Sequence, residues 1–170
     1  MNSPAEELVE VLDADGNVER IVTRAEMRAG NLRHRNIAVL VQRPDGRLVV
    51  HQRADWKDVY PSLWDVAFGG VPGVGEPDDL AAVRELAEEA GIDVAVDDLR
   101  PLGSRTRVTE SVAWHGVFYL LVTDADLHPA DGEVARMEEI PAAEIRRWAD
   151  THPLCPDVVP LLDDLGPWLA

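Results

Sequence analysis

The stretch that decides the fold runs from Gly70 to Ile92 and reads GVPGVGEPDDLAAVRELAEEAGI. It opens as a glycine-rich loop whose backbone can approach a ligand closely. Its second half predicts a helix with marked ends. Glu76-Pro77-Asp78-Asp79 puts a proline in the first turn and carboxylates at the positive end of the helix dipole. Gly91 stands where a left-handed C-terminal cap falls. At about 100° per residue, Leu80, Val83, Leu86, Ala87 and Ala90 share one face, and Glu85, Glu88 and Glu89 share the opposite one. The apolar face is expected on a sheet, with the glutamates pointing outward together.

Such a grouping opposes stability. Like charges one turn apart on a helix repel by roughly 0.2–0.5 kcal/mol per pair. Clustered carboxylates also resist joint ionisation unless a cation lies between them. A solvated acidic face is the plain alternative, as for most charge runs. The adjoining glycine loop favours the cation, and Mg²⁺ and Mn²⁺ are the hard ions that take oxygen ligands together with phosphates.

In full, the stretch resembles the Nudix box: Gly, five residues, Glu, seven residues, then Arg-Glu-aliphatic-any-Glu-Glu-any-Gly-aliphatic. Gly70, Glu76, Arg84, Glu85, Leu86, Glu88, Glu89, Gly91 and Ile92 all fall on the pattern. A chance match at one start point is on the order of 10⁻⁸ from ordinary residue frequencies. The resemblance implies a Nudix-like α/β/α sandwich and hydrolysis of a diphosphate linked to another group, NDP-X giving NMP and P-X. It implies a bound Mg²⁺ or Mn²⁺, with Glu85 and Glu89 as leading ligands. Glu88 becomes a further ligand or the base that activates water, and the carbonyl of Gly70 or Gly69 completes the metal shell. Arg84 is expected to orient neighbouring carboxylates, with Glu76 in reach, and Glu76 and Gly91 are expected to be architectural. Family members often carry an additional catalytic or metal-binding glutamate in a later loop; Glu133, in DGEVARMEEI, occupies that place. A surface turn residue is the alternative there.

Outside the box, Arg53 and Lys57 lie in the preceding loop as candidates to grip phosphate. Trp56, Tyr60 and Trp64 are candidates to stack on a base, against the commoner role of aromatics packed beside a sheet. His34 precedes a buried strand and is expected to hydrogen-bond rather than ligate. Cys155 is the only cysteine, so no intrachain disulfide forms, and it reads as a small buried hydrophobe.

Coarse patterning surrounds the box with strands. EELVEVLDADGNVERIVTR reads as a hairpin, followed by a short helix at RAEMRAG; together these make residues 1–30 an N-terminal extension. NIAVLVQRPDGRLVVHQR is a second hairpin, and its β-branched run predicts a strand buried on both faces. LRPLGSRTRV and VAWHGVFYLLV are further strands, DGEVARMEEI enters another, and closing helices are expected near 142–150 and 157–165. The whole, 1–170, is expected to be one α/β (α+β type) domain with a mixed central sheet.

At −16 the net charge disfavours nucleic acid and anionic membranes as partners. It leaves room for a small phosphorylated substrate met through a local cation. The chain lacks an apolar run of about 18 residues and a basic-then-apolar N-terminus, so cytoplasmic residence is expected. The N-terminal hairpin offers an edge for a homodimer.

Two other readings compete. The hairpin, the LRHR entry to the core strand and the aromatic loop are similar to isopentenyl-diphosphate isomerases. That family needs a cysteine in a Cys-Gly-His-Pro turn, where this chain has Gly69-Gly70-Val71-Pro72. A non-catalytic sensor of nucleotide diphosphates is the other, and the intact set of box carboxylates argues against it.

Overall fold

The computed structural model describes residues 4–57, 59–129 and 132–169. The expected elements are there. Strands β1 (Leu8–Leu12) and β2 (Val18–Thr23) form the first hairpin, closed by Asp13, whose carboxylate accepts the amides of Asp15 and Asn17. Helix α1 (Arg24–Ala29) follows, capped by the Thr23 hydroxyl. The second hairpin is β3 (His34–Gln42) and β4 (Arg47–Arg53). A short β5 (Trp64–Asp65) precedes the box, whose helix α2 spans Asp78–Glu85 and runs on as a π-helical turn at Leu86–Ala90. Then come β6 (Arg100–Val108), β7 (Ala113–Val122), β8 (Val134–Pro141), α3 (Ile145–Ala149) and α4 (Val158–Trp168).

The sheet is mixed, as anticipated. Its central strand β3 pairs along its whole length with β7 in parallel, His34 opposite Trp114 through Gln42 opposite Val122. Its other edge is divided. β4 pairs with it only near the hairpin turn, at Val41–Val49 and Gln42–Leu48, and then leaves to pair with β8. Into the gap comes the box loop: Val39 exchanges both backbone hydrogen bonds with Phe68, and the Ile37 amide donates to the Gly70 carbonyl at 2.8 Å. This splitting of a hairpin places the glycine loop in the middle of the sheet rather than at its rim.

Helices cover both faces. On one, Ala81, Ala82, Leu86 and Ala90 pack on Ile37, Val39, Val41, Tyr119 and Leu121. On the other, Val158, Leu161, Leu165 and Trp168 of α4 pack on Leu40, Leu48, Val50, Phe118 and Leu120. The N-terminal extension closes a small core of its own, Val9, Val11, Val22 and Met27, against Val71. No helix among the described residues is long and apolar enough to cross a membrane.

The expected helix faces need correction. Leu80 is 51% exposed, and the buried side of the helix carries Ala81, Ala82, Leu86 and Ala90 together with Glu85 and Glu89, at 8% and 4% exposure. Alanine allows a closer approach to the sheet than leucine, and the sheet offers a glycine pair beneath the two carboxylates. The glutamates therefore part company: only Glu88 faces outward, its side chain half exposed. Pro77 stands at the N-cap, one place before the first turn, and Gly91 takes the left-handed conformation foreseen for it, φ 68°. A β-carbon at Gly91 would also lie 1.8 Å from the His128 carbonyl oxygen, so only glycine fits there.

Candidate active site

The two buried carboxyls are fitted to the glycine loop. Glu89 Oε2 accepts the Gly69 amide at 2.9 Å. Glu85 lies so close to Gly70 that a β-carbon there would stand 2.6 Å from its Oε1. Gly69 is constrained from the other side, because a β-carbon would fall 1.9 Å from the Ile37 carbonyl oxygen. Glycine is required at Gly69, where the neighbour is backbone, whereas a side chain at Gly70 would push the Glu85 carboxyl from its place. The Gly70 carbonyl, anticipated as a metal ligand, already accepts the Ile37 amide and keeps one lone pair for anything else.

Arg84 organises the carboxylates, as its place in the box suggested. Its guanidinium grips Glu76 through both oxygens, Nε to Oε1 at 2.9 Å and Nη2 to Oε2 at 3.0 Å. The remaining nitrogen, Nη1, bonds Glu85 at 2.9 Å and Glu88 at 3.0 Å. Glu76 also accepts the Gly73 amide, and the Arg84 bonds hold its carboxyl below the usual carboxylate range. Glu76 thus ties the loop to the helix, the architectural part expected of it.

A second clamp, which the sequence did not reveal, joins β3 and the N-terminal hairpin to the box loop. Arg35 bonds Asp78 at 2.7 Å and the Glu76 carbonyl at 2.8 Å, and pairs with Glu10 at 3.2 Å. Glu10 in turn accepts the Gly75 amide. No local pattern marks Glu10 or Arg35, since their partners lie tens of residues away in the chain. The extension therefore helps to hold the box loop in place.

The cleft over these groups is about 840 Å³. It gathers Glu85, Glu88, Glu89, Arg84, Gly70, Arg53, Lys57 and Glu133, with Gly69 and residues the sequence did not single out for this cleft, among them Glu6, Glu7 and Arg24. Of the expected site residues only Glu76 and Gly91 lie outside it. Lys57 is ion-paired with Glu133, and the Glu133 carbonyl accepts the Ala54 amide, which docks this loop against the one carrying Lys57. Arg53 is steadied by the Val59 carbonyl. The aromatics separate: Trp64 is core, Tyr60 lines a neighbouring cavity, and Trp56 stands 61% exposed at the cleft rim. His34 hydrogen-bonds through Nδ1 to the Leu32 carbonyl, and burial keeps its imidazole neutral. Cys155 is buried, its thiol pushed up by that burial and by the nearby Asp65 carboxylate.

Electrostatics single out the buried pair. Burial pushes the Glu85 carboxyl up to about 7, against the opposing pull of Arg84. Burial and the Glu85 charge push Glu89 up to about 8, with the Gly69 amide acting the other way. At neutral pH these groups hold protons or need a positive neighbour. Glu89 has no basic side chain bonded to it among the described residues. A donor set made of carboxylate oxygens suits Mg²⁺ or Mn²⁺. Among the described residues no three His, Cys, Asp or Glu side chains already converge on one point. Arg84 holds Glu85 and Glu88 by their oxygens, so a cation would compete with that guanidinium.

Comparison with known proteins agrees with this architecture. The NUDIX domain model matches residues 32–161. An uncharacterized Nudix hydrolase from Streptomyces coelicolor is 31% identical, the alignment covering 86% of this chain and 92% of that one. An isopentenyl-diphosphate Delta-isomerase from Nocardia farcinica is also 31% identical, over 95% of this chain and 90% of the relative. Among solved structures, DR0079 from Deinococcus radiodurans shares the fold, with a TM-score of 0.79 at 22% identity, covering 94% of this chain and 99% of that one.

Proposed function

Because the chain belongs to the Nudix domain family and is a hydrolase, we propose that it cleaves the diphosphate linkage of a nucleoside diphosphate derivative, NDP-X giving NMP and P-X. The observation that carries this reading is the pair of buried carboxyls, Glu85 and Glu89, set on a glycine loop: Glu85 shares one guanidinium, Arg84, with Glu76 and Glu88, and Glu89 has no basic side chain bonded to it among the described residues. They would hold Mg²⁺ or Mn²⁺, with Glu88 as a further ligand once it leaves Arg84. The ion would supply neutralisation of phosphate charge and a lowered pKa for water.

The chain's own groups account for the rest. Arg53 and Lys57 line the cleft and would orient the diphosphate; positioning and charge stabilisation supply most of the acceleration in phosphoryl transfer. Water adds to one phosphorus, the bridging P–O bond breaks towards the other phosphate, and Glu88 or Glu133 takes the proton that water loses. Lys57 is ion-paired with Glu133 in the wall of the cleft. Arg84 holds the carboxylates from behind.

Arg84→Lys is expected to keep the fold and lose turnover. Lysine cannot grip Glu76 with two parallel bonds while reaching Glu85 and Glu88. A fall in kcat/KM of about 10–100-fold, as for other groups that orient metal ligands, is expected beside a small change in Tm. Unchanged kcat/KM would remove the positioning role.

The isomerase reading meets a steric obstacle. The isomerase cysteine corresponds to Gly69, where a β-carbon would overlap the Ile37 carbonyl oxygen at 1.9 Å. Val71 replaces the histidine of that turn, and Cys155 is a buried thiol bonded to Asp65. Likeness to the Nocardia isomerase is therefore one of scaffold.

The deciding experiment measures phosphate and nucleotide release across a diphosphate panel with Mg²⁺ or Mn²⁺ and with EDTA. Metal-dependent release from at least one member is expected. Binding without release from any member would favour a sensor.

A further inference from the structure

We propose that Asp65, in β5, is a positioning residue: it aims the Arg53 guanidinium at the phosphate groups of the substrate without touching them itself. The proposal rests on the diphosphate-hydrolase reading. Four basic side chains line the carboxylate cleft, Arg24, Arg53, Lys57 and Arg84. Three are engaged by carboxylates: Arg24 by Glu7, Lys57 by Glu133, and Arg84 by Glu76, Glu85 and Glu88. Arg53 is the exception. Among the described residues its side chain bonds the Val59 carbonyl alone, through Nε at 3.0 Å. Both Nη nitrogens are therefore left for an incoming anion. An arginine held by one bond ranges over many rotamers, and ordering it on binding costs affinity. Something must hold it in advance.

Strand pairing brings Asp65 to it. In the antiparallel β4–β5 pair, His51 lies opposite Asp65 and Gln52 opposite Trp64, and the Arg53 amide donates to the Leu63 carbonyl at 2.9 Å. Arg53 and Asp65 are thus diagonal neighbours on one face, a spacing that a long side chain spans. Both also line the cavity adjoining the cleft. The carboxyl is fixed by its own turn, Oδ1 accepting the Val66 and Ala67 amides at 2.8 and 3.2 Å. Burial pushes Asp65 up, and the Arg53 charge draws it back. His51, directly opposite, supplies no charge, because burial pushes its imidazole down to about 3. Arg53 is therefore the counter-ion of Asp65, although no salt bridge joins them among the described residues. That separation suits the role. A fixed negative charge on one side confines the guanidinium, and the lack of a direct bond leaves its fork of donors to a phosphate.

Binding of inorganic diphosphate with Mg²⁺, by calorimetry, would be measured for the wild type, Asp65→Asn, Arg53→Gln and the double variant, beside KM and kcat for any panel member turned over. Asparagine keeps an oxygen for the two amides but carries no charge. Removing a negative charge beside a phosphate site would by itself tighten anion binding. Loss of positioning weakens it, so the two effects differ in sign. Asp65→Asn is expected to weaken diphosphate binding and raise KM about three- to tenfold, with kcat within about twofold of wild type. In the Arg53→Gln background the same substitution is expected to change neither, because it acts through Arg53. A merely structural role would lower Tm and persist in the double variant. If Asp65→Asn does not melt cooperatively, Asp65→Ser, whose hydroxyl can accept the same amides, is read in its place. Unchanged or tighter binding in Asp65→Asn, an equal loss in the Arg53→Gln background, or no diphosphate binding by the wild type overturns the proposal. Hydrolysis of a panel member in any of those cases would spare the hydrolase reading. Binding that weakens in Asp65→Asn only while Arg53 is present, without hydrolysis by the wild type, would keep the positioning role and remove the hydrolase reading.

Discussion

Glu89→Gln is expected to lose turnover on the order of 10³-fold and, in EDTA, to become more stable than the wild type. The first effect follows from the proposed place of Glu89 as an oxygen ligand of the cation on which the acceleration would depend. The second follows from burial. Glu89 is 4% exposed and its carboxyl is pushed up to about 8 from an ordinary 4.5. The folded state therefore holds a proton that the unfolded state releases. Stability is highest below the ordinary value and falls as pH rises through the window from 4.5 to about 8, reaching the full penalty above it. Glutamine carries no charge and keeps an oxygen for the Gly69 amide, so it escapes the penalty. The gain should be roughly 2 kcal/mol, or about 4–8 °C in Tm. Thermal melts of both proteins in EDTA would converge in acid and separate towards alkaline pH. Added Mg²⁺ should raise the wild-type curve more than the variant's, because a ligand that binds only the folded state stabilises it. Coincident melts at every pH would show that Glu89 is not held as a strained buried carboxyl, and turnover within tenfold of wild type would remove it from the metal site.

Gly69→Ala is expected to damage the fold rather than the chemistry. The new methyl would overlap the Ile37 carbonyl at 1.9 Å, and both partners are backbone in the middle of the sheet. Neither has a rotamer to change. Either the box loop leaves β3, breaking the Ile37–Gly70 and Val39–Phe68 bonds, or β3 shifts against β7. Overpacking alone costs about 1–3 kcal/mol, and each broken ladder bond adds about 1 kcal/mol. A fall in Tm of about 8 °C or more is expected for a chain of this size. A substitution at Gly46, whose β-carbon would meet nothing, is the matched control, although its φ of 86° carries a smaller strain of its own. A Gly69→Ala Tm within a degree or two of wild type would mean that the loop does not sit in the split of the β3–β4 hairpin. The same clash explains why Gly69→Cys would not restore an isomerase.

The sequence by itself determined the elements and the chemical inventory. Turn residues at Asp13–Asn17 and Asp45–Gly46, the β-branched run 37–41 and the capped helix ending at Gly91 are local signals, and local signals survive folding. Spacing within the box was enough to single out Glu85, Glu88 and Glu89, because a motif records which residues a turn of helix brings together. Tertiary structure alone decided how those glutamates divide. Which side of α2 meets the sheet is a contest between Leu80 and the Ala81–Ala82 pair, and it was settled by the glycine pair that β3 receives when β4 departs. Only that packing buries Glu85 and Glu89, and only burial raises their affinity for a proton or a cation. Glu10 and Arg35, the Lys57–Glu133 pair and the Arg107–Asp157 pair likewise arise from residues far apart in the chain. Their contacts depend on long-range pairing, and periodicity carries no information about that.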